Sequence, residues 1–155
     1  MGMIKTEREY EQSKKTLAQW RASGEKLRAS IEATGMSPEH VELCMQPHLA
    51  MQDQMEGELA WYEGAKRGEI IPLPTLASIG LSLVALRLAK GLTQRQLAER
   101  LGVNEAQVSK DEKNDYHGIS VERAQRIIDA MEGSVTVTVS TAKPVSVMEM
   151  LANAT

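Results

Sequence analysis

The 155-residue chain has no phenylalanine, one cysteine, three tyrosines and two tryptophans. With rings this scarce, any core must be assembled from Leu, Ile, Val, Ala and Met. A single cysteine excludes an intramolecular disulfide and suits a reducing compartment. No apolar run reaches the roughly 18 residues that a membrane-spanning helix needs, and no secretory leader pattern opens the chain, so a cytoplasmic location is expected, with no membrane partner. The arrangements that carry catalysis are missing too: there is no nucleophile–base pairing, no glycine-rich phosphate loop and no carboxylate cluster beyond ordinary helix faces. The expectation is therefore no enzyme and no cofactor.

A basic excess is also lacking. The chain holds 18 basic and 21 acidic residues, a formal charge of −3. Residues 1–74 contain 9 basic and 12 acidic, residues 75–133 contain 8 of each, and residues 134–155 one of each. The acidity resides in the first half. A strongly basic domain holds DNA non-specifically through counterion release. A neutral one must rely on a few well-placed contacts and on pairing with a second copy.

What is present lies in residues 93–113. Thr93 is a favoured N-cap, and Gln96 three residues on completes a capping box. Leu97, Ala98 and Leu101 recur at helical spacing. Gly102 suits a left-handed turn where that helix must stop. Asn104 then caps a second helix, with Gln107 as its box partner, and Val108 points inward. Upstream, residues 82–91 read as an amphipathic helix ending at Gly91. Downstream, Ser120 caps a helix over 121–131 with Val121, Ala124, Ile127, Ile128 and Met131 on one face.

This order of cap, small residue, glycine, cap and β-branched residue resembles the Cro- and phage-repressor-like (XRE-type) helix-turn-helix transcriptional regulators, over residues 82–133. The resemblance implies a four- to five-helix DNA-binding domain at 78–133 whose recognition helix, 105–113, enters the major groove of double-stranded DNA. It places Thr93, Gln94 and Arg95 beside the DNA backbone and turns Asn104, Glu105, Ala106, Ser109 and Lys110 toward the bases. Glu105 can accept from a cytosine amine and Ala106 can meet a thymine methyl. Lys110 suits guanine or a phosphate, Gln107 an adenine edge unless its capping role holds it, and Lys113 and Asn114 the backbone. It also implies an ion pair between Arg87 and Glu112. Asp111 departs from the pattern, standing where a bulky apolar residue is usual. Either Tyr116 fills that space or the recognition helix tilts.

The remainder reads as helix, connector and strand, so the fold class is mainly α. Residues 1–69 form a helical hairpin for dimerisation or partner binding. Thr6 and Glu9 make a capping box for its first helix. Met3, Tyr10, Leu17, Gly24 and Ile31 repeat every seven residues, with Trp20 and Leu27 between, as in a coiled-coil seam. Pro38 opens the second helix, and Pro47 is expected to kink or restart it. Two prolines make 70–77 a semi-rigid linker. Residues 134–140 alternate strictly, so a C-terminal β-strand is expected, with Val135, Val137 and Val139 pairing across a homodimer and a short tail running on to 155. The dimer seam therefore comprises Tyr10, Leu17, Trp20, Leu27 and Ile31 with those three valines. His40, Cys44 and His48 recur every four residues and raise a metal or redox site, although Pro47 disturbs their register and no fourth ligand is evident.

Two functions follow. One is a homodimeric repressor on an inverted-repeat operator. The other is an antitoxin or adaptor whose hairpin binds a protein partner such as a toxin, with autoregulatory DNA binding.

Overall fold

A computed structural model describes residues 3–70, 75–137, 139 and 141. It is mainly helical, with six α-helices among the described residues, and divides into two compact units, Met1–Glu63 and Gly64–Thr155.

The first unit is built on α1 (Glu7–Glu32) and α2 (Pro38–Lys66), the last turn of α2 falling in the second unit. Both halves of the Thr6–Glu9 capping box form, which fixes where α1 begins. The two helices run antiparallel, because early residues of one meet late residues of the other. Tyr10 stacks on Tyr62 with ring centres 4.9 Å apart, Trp20 on His48 at 4.5 Å, and Arg28 pairs with Glu42 at 2.6 Å. Leu17 and Gly24 of α1 are buried, as are Val41, Met45, His48, Met55, Leu59 and Tyr62 of α2.

The seven-residue seam of α1 is thus occupied within the chain. Leu17 is buried, Tyr10 and Trp20 are stacked on α2, Ile31 is half-buried and Leu27 is 40 % exposed. The short turn at 33–37 returns α2 at once, and an attached helix outcompetes a separate chain for the same surface. Pro47 neither breaks nor restarts α2, which runs through it as one helix.

His48 sits at the centre of this packing. Trp20 Nε1 donates to the His48 carbonyl at 3.1 Å, and His48 Nε2 lies 3.1 Å from the Trp20 carbonyl, a contact that requires the proton on Nε2. Gly24 makes room for the ring, since a Cβ there would stand 2.4 Å from His48 Nε2.

In the second unit a 3₁₀ turn (Leu76–Ser78) leads into α3 (Ile79–Ala89), followed by α4 (Gln94–Leu101), α5 (Glu105–Lys113) and α6 (Val121–Ala130). Leu83, Val84, Leu88, Leu97, Val108, Tyr116, Ile127 and Met131 fill its core. Two approaches set the packing. A Cβ on Gly80 would meet the Asp115 carbonyl oxygen at 1.8 Å, so α3 and the 114–120 loop touch only because residue 80 is glycine. At the other end of α6, Lys90 Nζ donates to the Glu132 carbonyl at 3.0 Å and an Arg100 guanidinium nitrogen to the Ala130 carbonyl at 3.0 Å, satisfying acceptors that a helix end leaves open.

Three expectations are corrected. Helix α3 begins at Ile79 rather than 82. Val121 is 75 % exposed; as the first residue of α6 it precedes the turn that faces the core. No strand forms among the described residues: 134–137 lack strand pairing, and Val135, Val137 and Val139 are exposed. Alternation suits a strand, but a strand needs a ladder partner, and none occurs among the described residues, which do not include 138 and 140 of the expected strand. Linker residues 71–74 and the tail from 142 lie outside the described residues. No single helix among them is long and apolar enough to cross a membrane.

Candidate nucleic-acid interface

Local chemistry sets the α4–turn–α5 unit. Thr93 accepts from the Gln96 amide and Gln96 Oε1 accepts from the Thr93 amide, closing the capping box of α4. Gly102 ends α4 at φ +68°, where any Cβ would be strained. Asn104 Oδ1 accepts from the Gln107 amide at 2.8 Å and starts α5. Here one expectation fails. The Gln107 side chain does not close a second box; its amide donates to Asp111 Oδ1 at 2.8 Å, one turn along the same helix.

Beneath α5 lies a buried charge network. Arg87 Nε donates to Glu112 Oε1 at 2.5 Å and Nη2 to Oε2 at 2.6 Å, a bidentate pair whose side chains are 3 % and 0 % exposed. Arg87 Nη1 also donates to the Leu92 carbonyl at 2.8 Å, just before α4. Gln94 Nε2 adds a bond to Glu112 Oε2 at 2.8 Å. The pair therefore ties α3, the start of α4 and the end of α5 together. The structure draws Gln94 inward to Glu112, where sequence reasoning placed it against phosphate.

On the outer side of α5, Glu105, Ala106, Lys110 and Lys113 are exposed and Ser109 is half-buried, and helical geometry puts all five on one face. Asn104, Asn114, Thr93 and Arg95 flank it, also exposed; Arg95 pairs with Glu99 at 3.2 Å. The inner side carries Val108, 2 % exposed, and Glu112.

Asp111 is half-buried and accepts from Arg123 Nη2 at 2.5 Å as well as from Gln107. Tyr116, 5 % exposed, takes a place in the core from the loop after α5. Burial and the nearby Glu112 carboxylate push its phenol well above the ordinary tyrosine range. Of the two outcomes open at Asp111, the burial of Tyr116 matches the first. Sequence reasoning missed Arg123 as the partner of Asp111. Its position on the exposed side of an amphipathic helix gave no sign, because the pairing depends on how α6 crosses α5.

The histidine–cysteine series is not assembled. His40 is exposed and bonds Ser37 Oγ through Nδ1 at 2.7 Å, Cys44 is exposed, and His48 is turned into the hairpin. No grouping of three metal-ligating side chains occurs among the described residues.

No curated protein and no solved structure matches the chain. Residues 83–137 match the model of the helix-turn-helix family. The segment that contains the buried Arg87–Glu112 pair and the exposed face of α5 is thus similar to the helix-turn-helix domains of XRE-type regulators, which supports reading this chain as a DNA-binding regulator.

Proposed function

We propose that the chain is a sequence-specific transcriptional repressor that lays α5 in the major groove of double-stranded DNA. The observation that carries this reading is an exposed polar face, Glu105 to Lys113, on a short helix whose back is fixed by a fully buried bidentate ion pair. Rigid support behind a polar face is what base readout requires. Asn104, Glu105, Ala106, Ser109 and Lys110 meet the bases; Thr93, Arg95, Lys113 and Asn114 meet phosphates. Gln107 and Gln94 are engaged internally and orient their neighbours. A neutral domain with one recognition helix covers few base pairs, so two copies act on one inverted-repeat operator, with recognition helices about 34 Å apart.

Gel-shift titration on a site selected from random DNA tests this. Glu105→Ala should cost roughly 1–3 kcal/mol on the preferred site and relax discrimination at one base pair per half-site. Lys113→Ala should weaken all sequences about equally and flatten the salt dependence. Unchanged binding in both variants would remove α5 from the groove.

A second reading, in which the hairpin also holds a protein partner as antitoxins do, draws on the acidic, partly apolar outer surface of α2.

A further inference from the structure

Helix α2 is apolar on two opposite sides. One side faces α1. The other carries Leu43, Pro47, Ala50, Met51 and Gln54, which helical geometry gathers within about 100° of arc. All five are exposed, Leu43 by 60 % and Met51 by 37 %. No charge interrupts this stripe, and Leu43, Pro47, Ala50 and Met51 lie side by side along it rather than scattered singly. Its edges are acidic. Glu39 and Asp53 enter no ion pair among the described residues, and the hydrogen bond shown for Glu58 is from Gln54 at 3.1 Å. Lys66 is the one lysine or arginine in α2.

Those carboxylates select the occupant. A second copy of α2 would bring the same acidic edges against these whatever its register, and the outward face of α1 is polar, with Arg8, Lys15, Gln19 and Glu25 exposed. Neither helix of a second copy's first unit lays a row of large apolar side chains beside a basic edge: the exposed apolar residues among the bases of the outward face of α1 are Ala18, Ala22 and Ala29. We infer that this face of α2 docks a basic amphipathic helix of another protein, its apolar side along 43–54 and its lysines or arginines against Glu39, Asp53 and Glu58. The stripe is about 18 Å long, three turns of such a helix. The inference deepens the second reading above and does not depend on the DNA-binding one.

The test titrates the full-length chain calorimetrically with a synthetic helical peptide of about four turns, leucine on one face and lysine elsewhere, and with a counterpart carrying glutamate for lysine. The lysine peptide should bind saturably, one per chain, and the glutamate peptide should not. Leu43→Glu with Met51→Glu should weaken binding at least about tenfold, as should Asp53→Lys with Glu58→Lys. Both double variants should keep the parent's circular dichroism and its DNA gel shift. Equal affinity of the lysine peptide for parent and variants would overturn the inference. So would sedimentation showing that Leu43→Glu with Met51→Glu turns a dimer into a monomer, which would assign the face to a second copy.

Discussion

At the scale of single residues, removing one member of the Arg87–Glu112 pair leaves the other buried without its counter-charge. Such a loss typically costs about 3–5 kcal/mol, a large part of a domain's roughly 5–15 kcal/mol stability. Arg87→Ala and Glu112→Ala should each unfold the second unit at lower denaturant, while the double variant should cost less than the sum of the two. Additive effects in that cycle would dissolve the pair as a unit. Gly24 poses the opposite question. Alanine would gain about 1 kcal/mol of helix propensity, but its Cβ would stand 2.4 Å from His48 Nε2. The ring is held by Trp20 on one side and by the Trp20 carbonyl at its tip, so moving it forfeits both contacts. Overpacking of this kind costs about 1–3 kcal/mol, more than the gain. Gly24→Ala should therefore lower the hairpin's thermal midpoint.

At the scale of elements, two cross-helix ion pairs give the hairpin its response to acid. Hydrogen bonds from Arg28 to Glu42 and from Arg21 to Glu56 hold both carboxyls below the usual glutamate range. A carboxyl whose folded value is depressed contributes stability above its unfolded value, near 4.3, and loses it as pH falls through the folded value. Hairpin melting followed by circular dichroism should be flat from neutrality down to about pH 5 and fall below that. Glu42→Gln with Glu56→Gln should reduce the fall. The elements themselves were legible where the signals are local. Thr93, Gln96, Gly102, Asn104 and Ser120 placed the starts and stops of α4, α5 and α6 because caps and left-handed turns are settled within a few residues. Contacts set by helix crossing were not legible. Arg123 reaching across from α6, Gln94 bonding Glu112 and His48 entering the hairpin each depend on a partner carried by another helix. The expected strand is not seen among the described residues for a related reason: alternation describes a face, and pairing requires a second segment.

At the scale of the whole molecule, the chain divides into two units, Met1–Glu63 and Gly64–Thr155, that have separate cores. A fragment over 75–133 retains every element of the candidate interface. It should fold, remain monomeric and bind an operator more weakly than the full chain, as light scattering and gel shifts on the two proteins would show. A fragment binding as tightly as the whole would leave residues 1–69 no part in DNA affinity. The division has an optical consequence. Both tryptophans, Trp20 and Trp61, belong to the first unit, and Tyr116 is the one tyrosine of the second. The paucity of rings thus leaves the second unit without an indole. Indole emission follows the first unit alone while the helical circular dichroism band follows both, so whatever part of an unfolding curve the emission does not share belongs to the second unit, and the two can be told apart without any label.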